Sequence, residues 1–139
     1  MDKTAIVYWS GTGNTKDMAE AIAKGMKEAG ADVDVFEVTE VKAADIAAYP
    51  KMALGCPSMG DEVLEEGDFE PFFTELEGSL TGKKVALFGS YGWGDGQWMR
   101  DWAERARDDG ATLYDDGLIV QEAPDEDECV AYGRGFAGF

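Results

Sequence analysis

Short apolar runs recur along this chain, each followed by a segment with helical spacing, and that alternation restricts the fold more than any other feature. The run at 4–9 (TAIVYW) leads into 14–29, where Met18, Ile22, Met26 and Ala29 lie four, four and three residues apart and mark one buried helical face. Gly30 is a natural stop. Segment 32–38 alternates Val33 and Val35 with Asp32 and Asp34, as an edge strand with one wetted face would. A short helix is expected over 42–49, a third strand over 52–56 and an amphipathic helix over 69–76. The uniformly apolar 85–89 reads as a central strand covered on both faces. A helix over 93–107 places Trp98 and Trp102 four apart on one face, as core residues. The fifth strand, 112–120, is interrupted at Asp115-Asp116-Gly117. The last helix, 125–136, carries Gly133 and Gly135 and is expected to fray. Strands alternating with helices imply an α/β fold, a parallel sheet with helices on both faces, in one domain over 1–139.

Charge and missing residue types then exclude functions. The formal net charge is −17, from 29 acidic and 12 basic residues, which argues against nucleic acid and anionic membranes and favours basic partners or simple solubility. No apolar run approaches a membrane span, and the start MDKTAIV lacks a signal-peptide layout, so a cytoplasmic protein is expected. There is no histidine, which removes serine–histidine and cysteine–histidine hydrolysis and imidazole-based zinc sites. Cys56 and Cys129 are too few for a disulfide framework; Cys56 ends an apolar run and reads as a buried structural thiol.

In a doubly wound sheet, ligands bind beyond the carboxyl ends of the strands, where strand order reverses. The loop Ser10-Gly11-Thr12-Gly13-Asn14-Thr15 joins the first strand to the first helix. Its two glycines let backbone N–H groups approach an anion at the helix N-terminus, and its hydroxyls add donors. It holds no lysine and matches neither nucleotide-binding glycine pattern, so a terminal monophosphate fits better than a triphosphate; an ordinary capped turn is the alternative. The loop after the third strand has six carboxylates between Asp61 and Glu70, without the spacing of a metal site. Its Met59-Gly60 offers a soft apolar surface and a flexible peptide. The loop 89-GSYGWGDGQW-98 sets Tyr91 and Trp93 among glycines, as stacking on a flat ring requires. A phosphate at one end and a planar aromatic at the other describe flavin mononucleotide, FMN.

The segments YWSGTGNT (8–15), LGCPSMGDEVLEE (54–66), KKVALFGSYGWGDGQWMRDW (83–102) and LIVQEAPDE (118–126) together resemble a short-chain flavodoxin over nearly the whole chain. The resemblance implies a doubly wound five-stranded parallel sheet of order 2-1-3-4-5 in a three-layer sandwich, binding FMN noncovalently and carrying single electrons. It implies that Ser10, Gly11, Thr12, Gly13, Asn14 and Thr15 hold the phosphate, that Met59 lies on the inner ring face and that Trp93 stacks on the outer one. Gly60, Asp61 and Glu62 would line the N5 and N3 edge, the Glu62 carboxylate accepting from N3–H. Ser90, Tyr91 and Gly92 would meet the pyrimidine end and ribityl chain, with Ser58 and Gly94 as further binding positions. The Gly60 carbonyl would turn toward N5 on reduction through a type II turn, which places a positive φ at Asp61.

Further expectations are a monomer, redox partners with basic docking faces, and cycling mainly between neutral semiquinone and anionic hydroquinone at low potential. Two other readings are an FMN-dependent reductase, for which no insertion builds a substrate pocket, and a phosphate-binding receiver domain, for which strand three ends Gly55-Cys56 instead of an aspartate.

Overall fold

The computed structural model describes residues 3–139, so the reading of the first residues as leaderless falls partly on residues 1 and 2, outside the described ones. Strands β1 (Thr4–Tyr8), β2 (Val33–Glu37), β3 (Lys51–Gly55), β4 (Lys84–Tyr91), β5 (Thr112–Leu113) and β6 (Leu118–Gln121) form one parallel sheet of order β2-β1-β3-β4-β5, with β6 also on β4. β5 and β6 are the two halves of the interrupted fifth strand. The interruption is built on Asp115 and Gly117, both with positive φ (58° and 99°).

Helices α1 (Asn14–Glu28) and α5 (Glu126–Ala137) cover one face; α2 (Ala43–Ile46), α3 (Phe69–Leu76) and α4 (Gln97–Asp108) cover the other. Period-two alternation in the strands feeds both cores. Ile6, Ala53, Ala86 and Phe88 face α1 and α5, whereas Val7, Leu54, Val85 and Leu87 face Phe69, Phe73, Trp98 and Trp102. Trp98 and Trp102 are core residues; Phe69 and Phe73 meet the Trp102 ring edge-on at 5.5 and 5.8 Å. β2 is the edge strand, its residues beyond Val33 half-exposed.

Two expectations are corrected. The fourth helix begins at Gln97 and not at 93, because Gly94 and Gly96 take positive φ and keep Trp93 in a loop. The last helix does not fray at its glycines. A Cβ on Gly133 would lie 2.1 Å from the carbonyl oxygen of Ile22, and one on Gly25 would lie 2.0 Å from that of Val130, so α1 and α5 touch backbone to backbone. The glycines create that contact, and its burial outweighs their low helix propensity. Asp125 caps the N-terminus by accepting from Asp127 N and Glu128 N, while the buried Lys51 donates to the carbonyls of Ala137 and Phe139.

Candidate cofactor site

A cleft of ≈ 310 Å³ opens at the carboxyl ends of β1, β3, β4 and β6, within the volume range of small-molecule sites. One end is the 10–15 loop. Gly13 takes φ 102°, a left-handed value that β-carbon-bearing residues avoid, and there it turns the chain into α1. Ser10 Oγ accepts from Gly13 N at 3.1 Å, which folds the loop over itself. Among the described residues, the N–H groups of Gly11, Thr12, Asn14 and Thr15 have no protein acceptor. They converge at a helix N-terminus, whose dipole favours negative charge. The buried Thr15 hydroxyl lies 3.2 Å from Ser90 Oγ, which fixes α1 against β4.

The other walls are apolar: Trp9, Pro57, Met59 and Tyr91. Ser58 N donates to Ser90 O at 3.0 Å, holding the post-β3 segment against β4. Trp98 Nε1 donates to Cys56 O, and the Trp98 ring lies 5.6 Å from that of Tyr91, so the Tyr91 wall is backed by core. Met59 and Val63 exchange two backbone hydrogen bonds of 2.8 and 2.9 Å, closing a hairpin over Gly60, Asp61 and Glu62. Positive φ values fall on Gly60 (50°) and Glu62 (58°), the residues on either side of Asp61 at the hairpin tip.

Glu62 has a definite task here. Its Oε1 accepts from Gly96 N at 3.2 Å and Gln97 N at 3.0 Å, so it caps α4 and ties the hairpin to the loop before that helix. Gly94 takes φ 86°, which explains a glycine there, and it lies against the Glu62 carboxylate. Glu65 folds back similarly. Partial burial works against its charge, but the N–H groups of Phe69, Asp68 and Gly67 hold its carboxyl below the usual range. Burial pushes the Cys56 thiol far up, so it stays protonated and inert.

Of the sequence-expected residues, Ser10, Gly11, Thr12, Asn14, Thr15, Ser58, Met59, Ser90, Tyr91 and Gly92 line the cleft. Gly13 shapes it from behind. Gly60, Asp61, Glu62 and Gly94 are not among its lining residues, and Trp93 stands 63% exposed in its loop. Sequence reasoning missed Trp9, Pro57 and Glu122. Glu122 has φ 58° and donates its N–H to Tyr91 O, and among the described residues it is the only charged side chain lining the cleft. Its signal was weak: one more acid in an acidic stretch. A wider groove of ≈ 720 Å³ along α1 is lined by Lys16, Lys24, Lys27, Glu20 and Glu28; Lys24 and Glu28 are paired with Glu126 and Arg134.

The cleft's walls come from four loops that the sequence keeps far apart, and the family model described as Flavodoxin matches residues 6–133, which contain all of them. The chain belongs to the flavodoxin family. It is 54% identical to the flavodoxin of Clostridium beijerinckii over 134 residues, 95% of this chain and 97% of that protein. It is 50% identical to the flavodoxin of Megasphaera elsdenii over 133 residues, 95% of this chain and 96% of that one. The solution structure of two-electron reduced Megasphaera elsdenii flavodoxin superposes with a TM-score of 0.89 at 48% identity, covering 98% of this chain and 99% of that one. Flavodoxins are electron-transfer proteins, not enzymes, and their cofactor is FMN. The cleft fits that cofactor: four open N–H groups at a helix N-terminus suit a phosphate, and the apolar walls suit a ring. Among the described residues no helix is long and apolar enough to cross a membrane.

Proposed function

We propose that this chain is a low-potential one-electron carrier, a single domain over 1–139 working as a monomer in the cytoplasm, whose FMN cycles mainly between the neutral semiquinone and the anionic hydroquinone. Bound FMN supplies the redox chemistry, taking up and releasing electrons one at a time. The observation that carries the reading is the polarity of the cleft: donors at the phosphate end, apolar walls, and one charged lining residue, the acid Glu122. With 29 acidic residues in the chain, no cation lines the cleft to offset a charge added there. Each carboxylate at roughly 10 Å, at an effective dielectric near 40, opposes an added negative charge by about 0.8 kcal/mol before salt screening. For a one-electron couple about 1.4 kcal/mol corresponds to about 59 mV, so several such groups lower the second potential by roughly 100 mV or more.

Individual residues take the following parts in this reading. The N–H groups of the 10–15 loop hold the phosphate, and Thr15 keeps that loop registered on β4. Met59 and Tyr91 provide the apolar contact, and Trp93, exposed beside the cleft, closes over the ring from outside. The Met59–Val63 bonds confine any turning of the Gly60 carbonyl to the hairpin tip. Glu62 keeps Oε1 on α4 and has Oε2 available for the N3–H donor. The surrounding acids, with the exposed Met59, Val63 and Trp93, guide a basic docking face on a redox partner.

A spectroelectrochemical titration tests this. The second couple is expected well below that of free FMN and to rise with ionic strength; a value at or above free FMN would sink the proposal. In calorimetry of the cofactor-free protein, FMN should bind far more tightly than riboflavin, which lacks the anion, and more tightly than FAD. Comparable affinities for FMN and riboflavin would rule out the phosphate role of the 10–15 loop.

A further inference from the structure

Far from the cleft, where α4 ends beside the connection from α3 to β4, Asp109 faces Glu77 with no cation left to hold it. Asp109 is the C-cap of α4, where the helix carbonyls disfavour negative charge. Its Oδ2 is buried, and no donor among the described residues reaches it. The neighbouring cation, Arg105, is already committed. It donates to both Glu70 oxygens at 2.7 Å and to both Glu77 oxygens at 3.0 and 2.6 Å, and it also reaches Thr74 Oγ1 at 3.3 Å. The charged groups around Asp109 are Glu77 from the 3-10 turn after α3, and Arg105 and Asp108 from α4, with Glu70 of α3 beyond Arg105. Thr81 Oγ1 donates to the Asp109 main-chain carbonyl at 3.2 Å, and Gly82 N to Gly110 O at 3.0 Å, so the two segments are in direct contact. The buried Oδ2 has the Glu77 carboxylate as its neighbour, and a proton carried on Asp109 can be donated there.

We propose that Asp109 and Glu77 form a proton-operated latch between the end of α4 and the α3–β4 connection, closed while Asp109 is protonated and loosened when its proton leaves to solvent. Burial and the Glu77 carboxylate push Asp109 up to about 6. Because this lies above the value of an unfolded aspartic acid, the folded chain holds the proton more tightly. The stabilisation is therefore present at low pH and is lost as pH rises through about 6. Glu70 and Glu77, held below the usual carboxylate range chiefly by hydrogen bonds from Arg105, act in the opposite sense, and their contribution disappears only on further acidification.

The test uses the FMN-loaded protein. Carboxyl-carbon NMR of Asp109 should titrate with a midpoint near 6, where an ordinary aspartate would titrate near 4. Asp109→Asn, whose amide donates to Glu77 at every pH, should raise the thermal midpoint by a few degrees at about pH 7.5 and leave it unchanged at about pH 5. It should also increase the exchange protection of the Gly82 amide at the higher pH only. In Glu77→Gln the Asp109 midpoint should fall toward the ordinary value. An ordinary Asp109 midpoint in the unaltered protein, an equal Asp109→Asn effect at both pH values, or an Asp109 midpoint unmoved by Glu77→Gln would each overturn the latch.

Discussion

At the amino end of the sheet, the buried Lys51 donates to the carbonyls of Ala137 and Phe139, and Lys84 donates to Phe139 as well. Phe136, Phe139, Tyr114 and Tyr132 pack around them with ring centroids 5.1 to 6.2 Å apart. At the carboxyl end, four N–H groups of the 10–15 loop have no acceptor, and the exposed large hydrophobics Met59, Val63 and Trp93 all lie on adjacent loops. One end spends its polar groups on the fold. The other leaves donors and apolar surface facing solvent, open to a ligand. Substitutions at the amino end and in the helical layers should therefore change stability without changing affinity, and substitutions at the carboxyl end should do the reverse.

The largest effect should come from Gly133→Val. The added side chain meets the main-chain oxygen of Ile22, which cannot rotate away, so α1 and α5 must separate. A loss of about 3 kcal/mol is expected in denaturant unfolding, at the upper end for overpacking. If FMN affinity fell while unfolding stayed unchanged, the division between the two ends would break.

Lys51→Met should lose about 2 kcal/mol, because the buried Ala137 carbonyl at the end of α5 loses this donor and Phe139 O keeps only Lys84. FMN affinity measured by calorimetry should remain that of the parent.

Trp93→Ala is the reverse case. The residue is 63% exposed, so unfolding of the cofactor-free protein should not change. FMN affinity should drop several-fold, about 1 kcal/mol of stacking. An unaltered affinity would remove Trp93 from the site.

Trp102→Phe should do least. Its indole N–H is buried with no acceptor among the described residues, so replacing it leaves no hydrogen bond unmade, and stability should change by less than about 1 kcal/mol. Affinity equal to the parent would sharpen the contrast with Trp93; an affinity loss matching that of Trp93→Ala would erase it.

Much of this arrangement was legible in the residues themselves. Apolar runs and period-3.6 spacing located the strands and α-helices, if not all their ends, since they are local consequences of which side chains must leave water. The break at Asp115-Asp116-Gly117 was readable because turn chemistry is also local. The hydroxyl and glycine content of 10–15 announced an anion cradle for the same reason: the groups that make it are consecutive.

What the chain order concealed were contacts between distant segments. Gly133 read as a weak point in its helix, and only the crossing of α1 over α5 makes it and Gly25 necessary. Glu62 read as a ring contact, and only the approach of its hairpin to α4 reveals a second task, one oxygen held on Gly96 and Gln97. Glu122 was one acid among many until β6 carried it to Tyr91 and into the cleft wall. Local pattern determines which elements form and where donors cluster, because those depend on neighbours in sequence. Which carboxylate caps a helix, which lines a cavity and which shares a proton depends on the electrostatic company each keeps, and that company is assembled only when the sheet brings its loops and helix ends together.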